Sequence, residues 1–241
     1  MKSATTILTD IRNFSGLFEN FQYKESNEFL NFIERYYEIQ AEIANIISDD
    51  IHMGTTGDGV LTIFLSDRNY IEGYAYLLST HRALNKLCEE FTNSTGIKAS
   101  FGIGSDSGNI WEVGNGLLKT YVGTVINRTA RIEANTKLFG DTKASIGFHL
   151  YNRLIEYFYP ASFAIMKTDN YDKLLVDNPE VVLISKEFML FYIFEMELKN
   201  IEKPIPIFRL SESMASNDDI YWRVMSKLLS EDKIKAIKAI L

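Results

Sequence analysis

The sequence contains little that would crosslink a fold or anchor it in a membrane. Cys88 is its only cysteine, so no intrachain disulfide and no cysteine-based zinc site can form. The longest uninterrupted apolar run extends only from Phe188 to Phe194, which is far short of a membrane span. The N-terminus has a single Lys2 and no apolar signal region, so we expect a soluble protein of the cytoplasm.

Basic residues are also scarce. The chain has 25 Lys and Arg against 32 Asp and Glu, and the net charge of −7 argues against a nucleic-acid-binding protein. No low-complexity, proline-rich or Gly/Ser-rich stretch suggests a linker or a disordered tail. Hydrophobic residues make up 46% of the 241 residues, which is enough to bury the core of one α/β domain.

The hydrophobic pattern predicts alternating strands and helices. Amphipathic helices are predicted over residues 26–48, 69–91 and 125–136, and two short ones beyond residue 210. Strands are predicted over residues 5–9, 51–53, 60–65, 97–103, 120–122, 143–146, 188–198 and 205–210. The order β-α-β-β-α-β is typical of a ferredoxin-like α+β sheet with helices on one face.

The first candidate site residue is Asp10, which follows a β-branched strand and precedes a Phe-Ser-Gly turn. A carboxylate at such a junction can hold a metal ion, and the backbone N–H groups after it can hold phosphate. The alternative is an aspartate that caps the turn, and this stretch taken alone favours that alternative.

A second carboxylate, Asp58, lies between Gly57 and Gly59 at the predicted tip of a hairpin. Asp-Gly is a common hairpin turn, so this motif taken alone favours a structural role. A β-α-β-β unit, however, brings its first strand beside the later hairpin, where Asp10 and Asp58 can meet. Two carboxylates repel each other unless a cation separates them, and oxygen ligands suit Mg²⁺ or Mn²⁺.

A third motif follows Gly123. Asn127 and Arg131 are four residues apart and share one face of a predicted helix. An amide and a guanidinium just after a glycine turn can both bind a nucleotide. The alternative is an exposed helix face with solvated arginines.

Together these segments resemble the class III nucleotidyl cyclases, the catalytic domain of adenylate and guanylate cyclases. Residues 10–15 match the family's Asp-Ile-x-x-Phe-Ser/Thr turn, and residues 57–58 match its Gly-Asp hairpin. Residues 122–131 match its Val-Gly-x-x-Val/Ile-Asn-x-x-x-Arg motif. Residues 198–208 look like its closing Leu-Lys-Gly-x-x-x-Pro-Val strand pair, so the resemblance extends from about residue 4 to residue 210.

The resemblance implies that a ribose 3′-oxygen attacks the α-phosphorus in line and expels pyrophosphate. It implies two divalent cations, Mn²⁺ or Mg²⁺, held by Asp10, Asp58 and the carbonyl of Ile11. It gives Asn127 the role of orienting the ribose, and Arg131 that of meeting charge on the α-phosphoryl oxygens. The implied phosphate-binding residues are Asn13, Phe14, Ser15, Gly16 and Lys199, the last of which has a solvated surface lysine as its alternative.

The family's assembly has consequences for this chain. In the family, the metal-binding residues and the Asn/Arg pair of one active site come from different subunits. The resemblance therefore implies a head-to-tail homodimer with two equivalent composite sites and an inactive monomer. All the motifs occur in this chain, so it can form that homodimer unaided.

The base-reading positions depart from the family. Adenylate cyclases commonly place Lys, and guanylate cyclases Glu, three residues before the hairpin Gly-Asp, where this chain has Gly54. The second base-reading position is Thr120, which can donate or accept one hydrogen bond. The stretch 102–108 also differs from the family's Gly-Ile-His-Thr-Gly and looks slightly longer.

Because the motifs begin at residue 10, we expect a stand-alone catalytic domain over 1–210 with a helical extension over 211–241. A compact cyclase without a purine code resembles the pyrimidine cyclases of Pycsar anti-phage defence, whose cyclic UMP or cyclic CMP activates a separate effector. The sequence thus predicts a uridylate cyclase that uses UTP. The alternatives are an adenylate or guanylate cyclase with atypical base recognition, and an inactive cyclase homology domain that only binds nucleotide or a partner.

Overall fold

The computed structural model of the chain describes residues 1–22, 27–115, 119–139, 143–160, 187–196 and 205–241. The strands are β1 (Lys2–Ile11), β2 (Ile51–Thr55), β3 (Gly59–Phe64), β4 (Phe101–Val113), β5 (Thr120–Val122), β6 (Ala144–Gly147), β7 (Leu190–Met196) and β8 (Ile205–Leu210). The helices are α1 (Phe14–Gln22), α2 (Asn27–Ile47), α3 (Asn69–Thr95), α4 (Thr124–Thr136), α5 (Phe148–Phe158), α6 (Glu212–Ala215), α7 (Asp218–Leu228) and α8 (Glu231–Ile240).

The strands form one sheet in the order β2-β3-β1-β4-β6-β8-β7, with β5 paired to β4 outside this path. The pairing of β4 with β6 is parallel, whereas β1 pairs antiparallel with both β3 and β4. The predicted ferredoxin-like core is therefore confirmed, with β7 and β8 as extra strands and helices at the C-terminus.

The two faces of the sheet are covered by different helices. Thr9 of β1 donates a hydrogen bond to Gln40 of α2, and Thr5 donates one to Asn69 of α3. Thr6, whose side chain points to the other face, contacts Thr129 of α4. The two helices of the predicted ferredoxin-like core, α2 and α3, therefore share one face as predicted, and α4 covers the opposite face.

Glycines in β4 explain how α4 reaches the sheet. A Cβ at Gly104 would overlap the backbone of α4 at Thr129 and Glu133, so the absence of a side chain lets the helix lie directly on the strand. The strand predicted over residues 97–103 is wrong at both ends, because β4 begins at Phe101 and ends at Val113. The stretch 102–108 is the interior of a long central strand, paired to β1 from Phe101 to Ile110.

The C-terminal helices α7 and α8 agree with the two amphipathic helices predicted there. Lys233 of α8 donates to the backbone oxygen of Ile47 at the end of α2, at 2.6 Å. Lys86 of α3 donates to the backbone oxygen of Leu241 at 2.8 Å. These contacts attach the C-terminal segment to the face of the molecule built by α2 and α3. In the described ranges, no helix is both long enough and apolar enough to cross a bilayer.

A buried ion pair joins α4 to the centre of the sheet. Asp106 of β4 is fully buried, and its Oδ2 lies 2.5 Å from Nε of Arg128 in α4. Its Oδ1 accepts a hydrogen bond from the backbone N–H of Leu150 in α5 at 3.1 Å. Burial by itself raises the pKa of Asp106, but the hydrogen bond and charge of His149 and the charge of Arg128 outweigh burial and hold the pKa below its usual value.

We expect Arg128→Met to lower the free energy of unfolding by about 3–5 kcal/mol, because it leaves the buried Asp106 carboxylate without the guanidinium that contacts it. Urea unfolding at neutral pH measures the loss. A depressed carboxyl pKa contributes stability above its unfolded value of about 4, and this contribution is lost as the pH falls. The deficit should therefore shrink below pH ~4, and the double variant Asp106→Asn/Arg128→Met should recover part of it. A deficit of the same size at all pH values would contradict this account.

Candidate active site

The structure brings Asp10 and Asp58 together at one end of the sheet. Asp10 lies opposite Gly59 of β3, and the backbone N–H of Ile11 donates to the backbone oxygen of Asp58 at 3.4 Å. A Cβ at Gly59 would lie 2.6 Å from the backbone oxygen of Thr9 and 3.2 Å from Oδ1 of Asp10. Glycine at that position thus lets the β2–β3 hairpin close onto β1.

The Asp10 carboxyl lies in an environment that disfavours its negative charge. Burial raises its pKa most, the Asp58 charge and a hydrogen bond between the two carboxyls raise it further, and only Arg12 opposes them. A cation bound between two such carboxylates would offset the repulsion between their negative charges. Within the described ranges, no cluster of three or more His, Cys, Asp or Glu side chains is arranged around a metal position. Two carboxylates fit Mg²⁺ or Mn²⁺, which take their other ligands from water and substrate phosphate.

The predicted phosphate-binding residues form the start of α1. Asn13 has a left-handed backbone with φ of 55°, which an asparagine tolerates, and its carbonyl accepts from the N–H of Leu17 at 3.0 Å. Phe14, Ser15 and Gly16 make up the first helical turn, where N–H groups have no acceptor within the helix. A Cβ at Gly16 would lie 2.6 Å from the Asn13 amide nitrogen, so the Asn13 side chain folds over this helix end. Such an end favours an anion.

Asn127 and Arg131 occupy the opposite side of α4 from the sheet. Asn127 is exposed and Arg131 is partly exposed, whereas Thr129 and Glu133 on the inward side are buried. The side chains of Asn127 and Arg131 therefore point away from the sheet, whereas Asp10 and Asp58 meet at one end of it.

The two predicted base-reading residues lie on the strands beside α4. Gly54 of β2 pairs with Leu61, which pairs with Leu8 of β1, so this position faces the α4 side of the sheet. Thr120 opens β5 and is exposed. The rings of His52 and Tyr121 lie 5.0 Å apart, which places β2 beside β5. No heavy atom lies within 4 Å of a Cβ built at Gly54.

Two charged residues near the site were not singled out by the sequence. Nη1 of Arg12 lies 2.9 Å from Oε1 of Glu133, in a geometry closer to an ion pair than to a linear hydrogen bond. Burial raises the pKa of Glu133 to about 7 against the opposing charge of Arg12, and the charge of Asp10 adds to the rise. The sequence feature that could have identified Glu133 is an acidic residue on the inward, apolar face of a predicted helix. Lys199 lies outside the described residues.

No family model matches the sequence, and no curated protein matches it. Solved structures do match. The adenylyl cyclase CyaB from P. aeruginosa has a TM-score of 0.63 and 16% identity, over 90% of this chain and 96% of that chain. The guanylyl cyclase Cya2 has a TM-score of 0.56 and 16% identity, over 86% and 91%.

A third solved structure is the guanylate cyclase domain of RhGC from Catenaria anguillulae in complex with GTP. It has a TM-score of 0.56 and 16% identity, over 87% of this chain and 96% of that chain. Likeness at this identity establishes the fold, and the chain has the fold of the class III cyclase domains.

Proposed function

We propose that the chain is a class III nucleotidyl cyclase that converts a pyrimidine nucleoside triphosphate into its 3′,5′-cyclic monophosphate and pyrophosphate. UTP is the favoured substrate. The observation that carries the proposal is that Asp10, at the end of β1, lies beside Asp58 of the β2–β3 hairpin, where burial and then the Asp58 charge raise the pKa of Asp10. The fold, which is that of adenylyl and guanylyl cyclase domains, supports it.

Each motif has a separate task in the proposed reaction. Asp10, Asp58 and the carbonyl of Ile11 would hold two divalent cations, Mn²⁺ or Mg²⁺. Bound there, such ions would supply a lower pKa for the 3′-hydroxyl and a counter-charge for the leaving phosphates. The N-terminal turn of α1, from Asn13 to Gly16, binds the β- and γ-phosphates through its N–H groups.

The remaining groups act at the reacting centre. Asn127 orients the ribose, so that its 3′-oxygen stands in line with the bond from the α-phosphorus to the leaving oxygen. Arg131 donates to the α-phosphoryl oxygens, whose negative charge grows as the new bond forms. The bond from the 3′-oxygen to the α-phosphorus forms as the bond from the α-phosphorus to the bridging oxygen of the β-phosphate breaks, the 3′-hydroxyl proton passes to water, and pyrophosphate leaves. Lys199 remains a proposed contact of the terminal phosphate.

The proposed active unit is a head-to-tail homodimer. The outward position of Asn127 and Arg131 on α4 supports it, because in this arrangement they serve the carboxylate pair of the second chain. Three large apolar side chains on the paired strands β4 and β5 are also exposed: Trp111 at 49%, Val113 at 39% and Val122 at 46%. A second copy of the chain would cover the exposed apolar side chains and bring its own carboxylate pair to Asn127 and Arg131.

Base selection is the finer part of the proposal, and its support is the absence of both purine-reading side chains. Gly54 offers no side chain to a purine edge, and Thr120 offers one hydroxyl. A role in anti-phage defence, in which cyclic UMP activates a separate effector, rests on the resemblance to the Pycsar cyclases. The structural neighbours, which are an adenylyl cyclase and a guanylyl cyclase, favour a second candidate, an adenylate or guanylate cyclase.

We expect Thr120→Val to lower the ratio of kcat/KM for UTP to that for ATP by about tenfold, because one hydrogen bond to the base is lost. The hydroxyl is removed and the shape is kept, so kcat for UTP should change less than the ratio. Gly54→Lys is the converse variant: the space at this position accepts a side chain, and ATP use should rise. Equal ratios in both variants and the unmodified protein would contradict the assignment of these positions.

The test of the function is incubation of the pure protein with each of the four nucleoside triphosphates and Mn²⁺. Cyclic UMP as the main product supports the proposal. Cyclic AMP or cyclic GMP as the main product supports the second candidate and leaves the mechanism intact. No cyclic product from any substrate supports a nucleotide-binding homology domain without activity.

A further inference from the structure

Arg12 links the metal-binding end of β1 to α4. Its side chain leaves the strand two residues after Asp10. Nη1 lies 2.9 Å from Oε1 of Glu133, and Nη2 donates to the backbone oxygen of Glu133 at 3.1 Å. Nη2 also contacts the hydroxyl of Thr136. One guanidinium thus binds the last turn and a half of α4 through a carboxylate, a carbonyl and a hydroxyl.

The sheet leaves space for this ion pair at one residue. Gly102 lies directly opposite Asp10 in the pairing of β1 with β4. A Cβ at Gly102 would overlap Nη2 of Arg12 and Oε1 of Glu133. The pair therefore lies flat against the backbone of β4, one strand away from Asp10. Its side chains are largely buried, with 21% of Arg12 and 6% of Glu133 exposed.

The charges around the pair connect it to the carboxylates of the site. Arg12 lowers the pKa of both Asp10 and Glu133, while Asp10 and Asp58 raise that of Glu133. Arg12 thus acts electrostatically on both the Asp10 carboxyl and Glu133 of α4, and Lys137 adds to its effect on Glu133. Buried ion pairs add little net stability compared with apolar packing, and in some proteins they fix one arrangement of the parts.

We propose that Arg12 and Glu133 are positioning residues for the cyclisation, and that their ion pair makes the Asp10 end of β1 and the helix that carries Asn127 and Arg131 move as one unit. This inference rests on the proposed function and its composite site. In the homodimer the two ends of the unit serve different active sites. Each Arg12–Glu133 pair therefore positions the carboxylates of one active site and the Asn127/Arg131 pair of the other.

The test is a heterodimer with a single intact site. One subunit carries Arg131→Ala and supplies the carboxylates, and the other carries Asp58→Ala and supplies α4. Two affinity tags and sequential purification isolate this species. Glu133→Gln is then placed in the first subunit only or in the second subunit only. Glu42→Gln is the matched control, because Glu42 forms an ion pair of 3.0 Å with Arg35 on the exposed side of α2.

We expect Glu133→Gln to lower kcat about tenfold or more in either subunit, since small misplacements of reacting groups have effects of that order. KM for the nucleotide should change less than about threefold, because the phosphate-binding turn is untouched. Hydrogen exchange of the backbone N–H groups at the C-terminal end of α4 should quicken in the same variant. Gly102→Ala, which keeps both charges but overlaps the pair, should have the same effects. Glu42→Gln should have none.

A fall in kcat with Glu133→Gln in only one of the two subunits, or in neither, would overturn the proposal. A fall that merely follows loss of dimer or of thermal stability would overturn it as well, because the pair would then act only through folding. Failure of the proposed function has a different signature. In that case the single-site heterodimer makes no cyclic nucleotide even before Glu133 is changed. Hydrogen exchange at the C-terminal end of α4 still becomes faster with Glu133→Gln.

Discussion

Asp58→Asn should reduce turnover by about 10³-fold or more and leave the metal-free protein at least as stable as the unmodified one. The loss follows from removing one of the two carboxylates that we propose as ligands of the divalent cations. Stability is retained because a hairpin-tip carboxylate contributes little packing and raises the pKa of Asp10 in the folded state. Asp10→Asn should behave likewise. Steady-state kinetics and thermal unfolding in EDTA measure the two effects.

The pH dependence of this variant has a definite sign. The folded state raises the pKa of Asp10, first by burial and then by the charge of Asp58. Such a group stabilises the fold below its unfolded pKa and loses that contribution as the pH rises through the folded value. The unfolding temperature of Asp58→Asn, measured relative to that of the unmodified protein, should therefore increase as the pH rises from about 4 to 7.

Two outcomes would contradict the metal-pair assignment. One is activity of either variant above a few per cent of the unmodified rate. The other is a metal-free unfolding temperature that falls on Asp58→Asn, because the carboxylate would then stabilise the fold. Glu42→Gln serves as the control for loss of one negative charge at an exposed position.

Mixing two inactive variants should restore activity. Arg131→Ala should lose about 10²–10³-fold in kcat, as removal of one donor to a developing charge does. Asp58→Ala should be at least as inactive. After subunit exchange about half of the dimers are mixed, and each has one site without a substitution, so about a quarter of the unmodified activity should return.

The matched control is a mixture of Asp58→Ala with Asp10→Ala. Both substitutions remove a carboxylate of the same half-site, so every site in every dimer stays defective. No activity should return, although subunit exchange is the same. Failure of the Asp58→Ala and Arg131→Ala mixture to recover, with exchange demonstrated by the two tags, would contradict a composite site.

The sequence predicted the parts of the site that follow from chain order. Asp10 stands at a strand end and Asp58 at a hairpin tip, and the ferredoxin-like order places that hairpin beside the strand. Helical periodicity placed Asn127 and Arg131 on one face of α4. These predictions needed only the periods of strand and helix.

The remainder depended on close packing that periodicity does not encode. Which face of the sheet α4 covers is decided by glycines of β4, whose pattern instead suggested a strand that ends near residue 103. The contact of Arg12 with Glu133 likewise depends on the space above Gly102. A long side chain with several rotatable bonds can reach many different partners. Its actual partner therefore cannot be predicted before the surrounding backbone is known.

The most direct measurement of the central claim is the product formed from UTP by the unmodified protein with Mn²⁺, identified by mass spectrometry and compared with the pyrophosphate released. The account predicts 3′,5′-cyclic UMP and pyrophosphate in equal amounts, with neither formed by Asp58→Asn. UMP, or UDP with inorganic phosphate, in place of the cyclic product would contradict the in-line attack of the 3′-oxygen. Absence of a cyclic product from all four nucleoside triphosphates would contradict the cyclase itself.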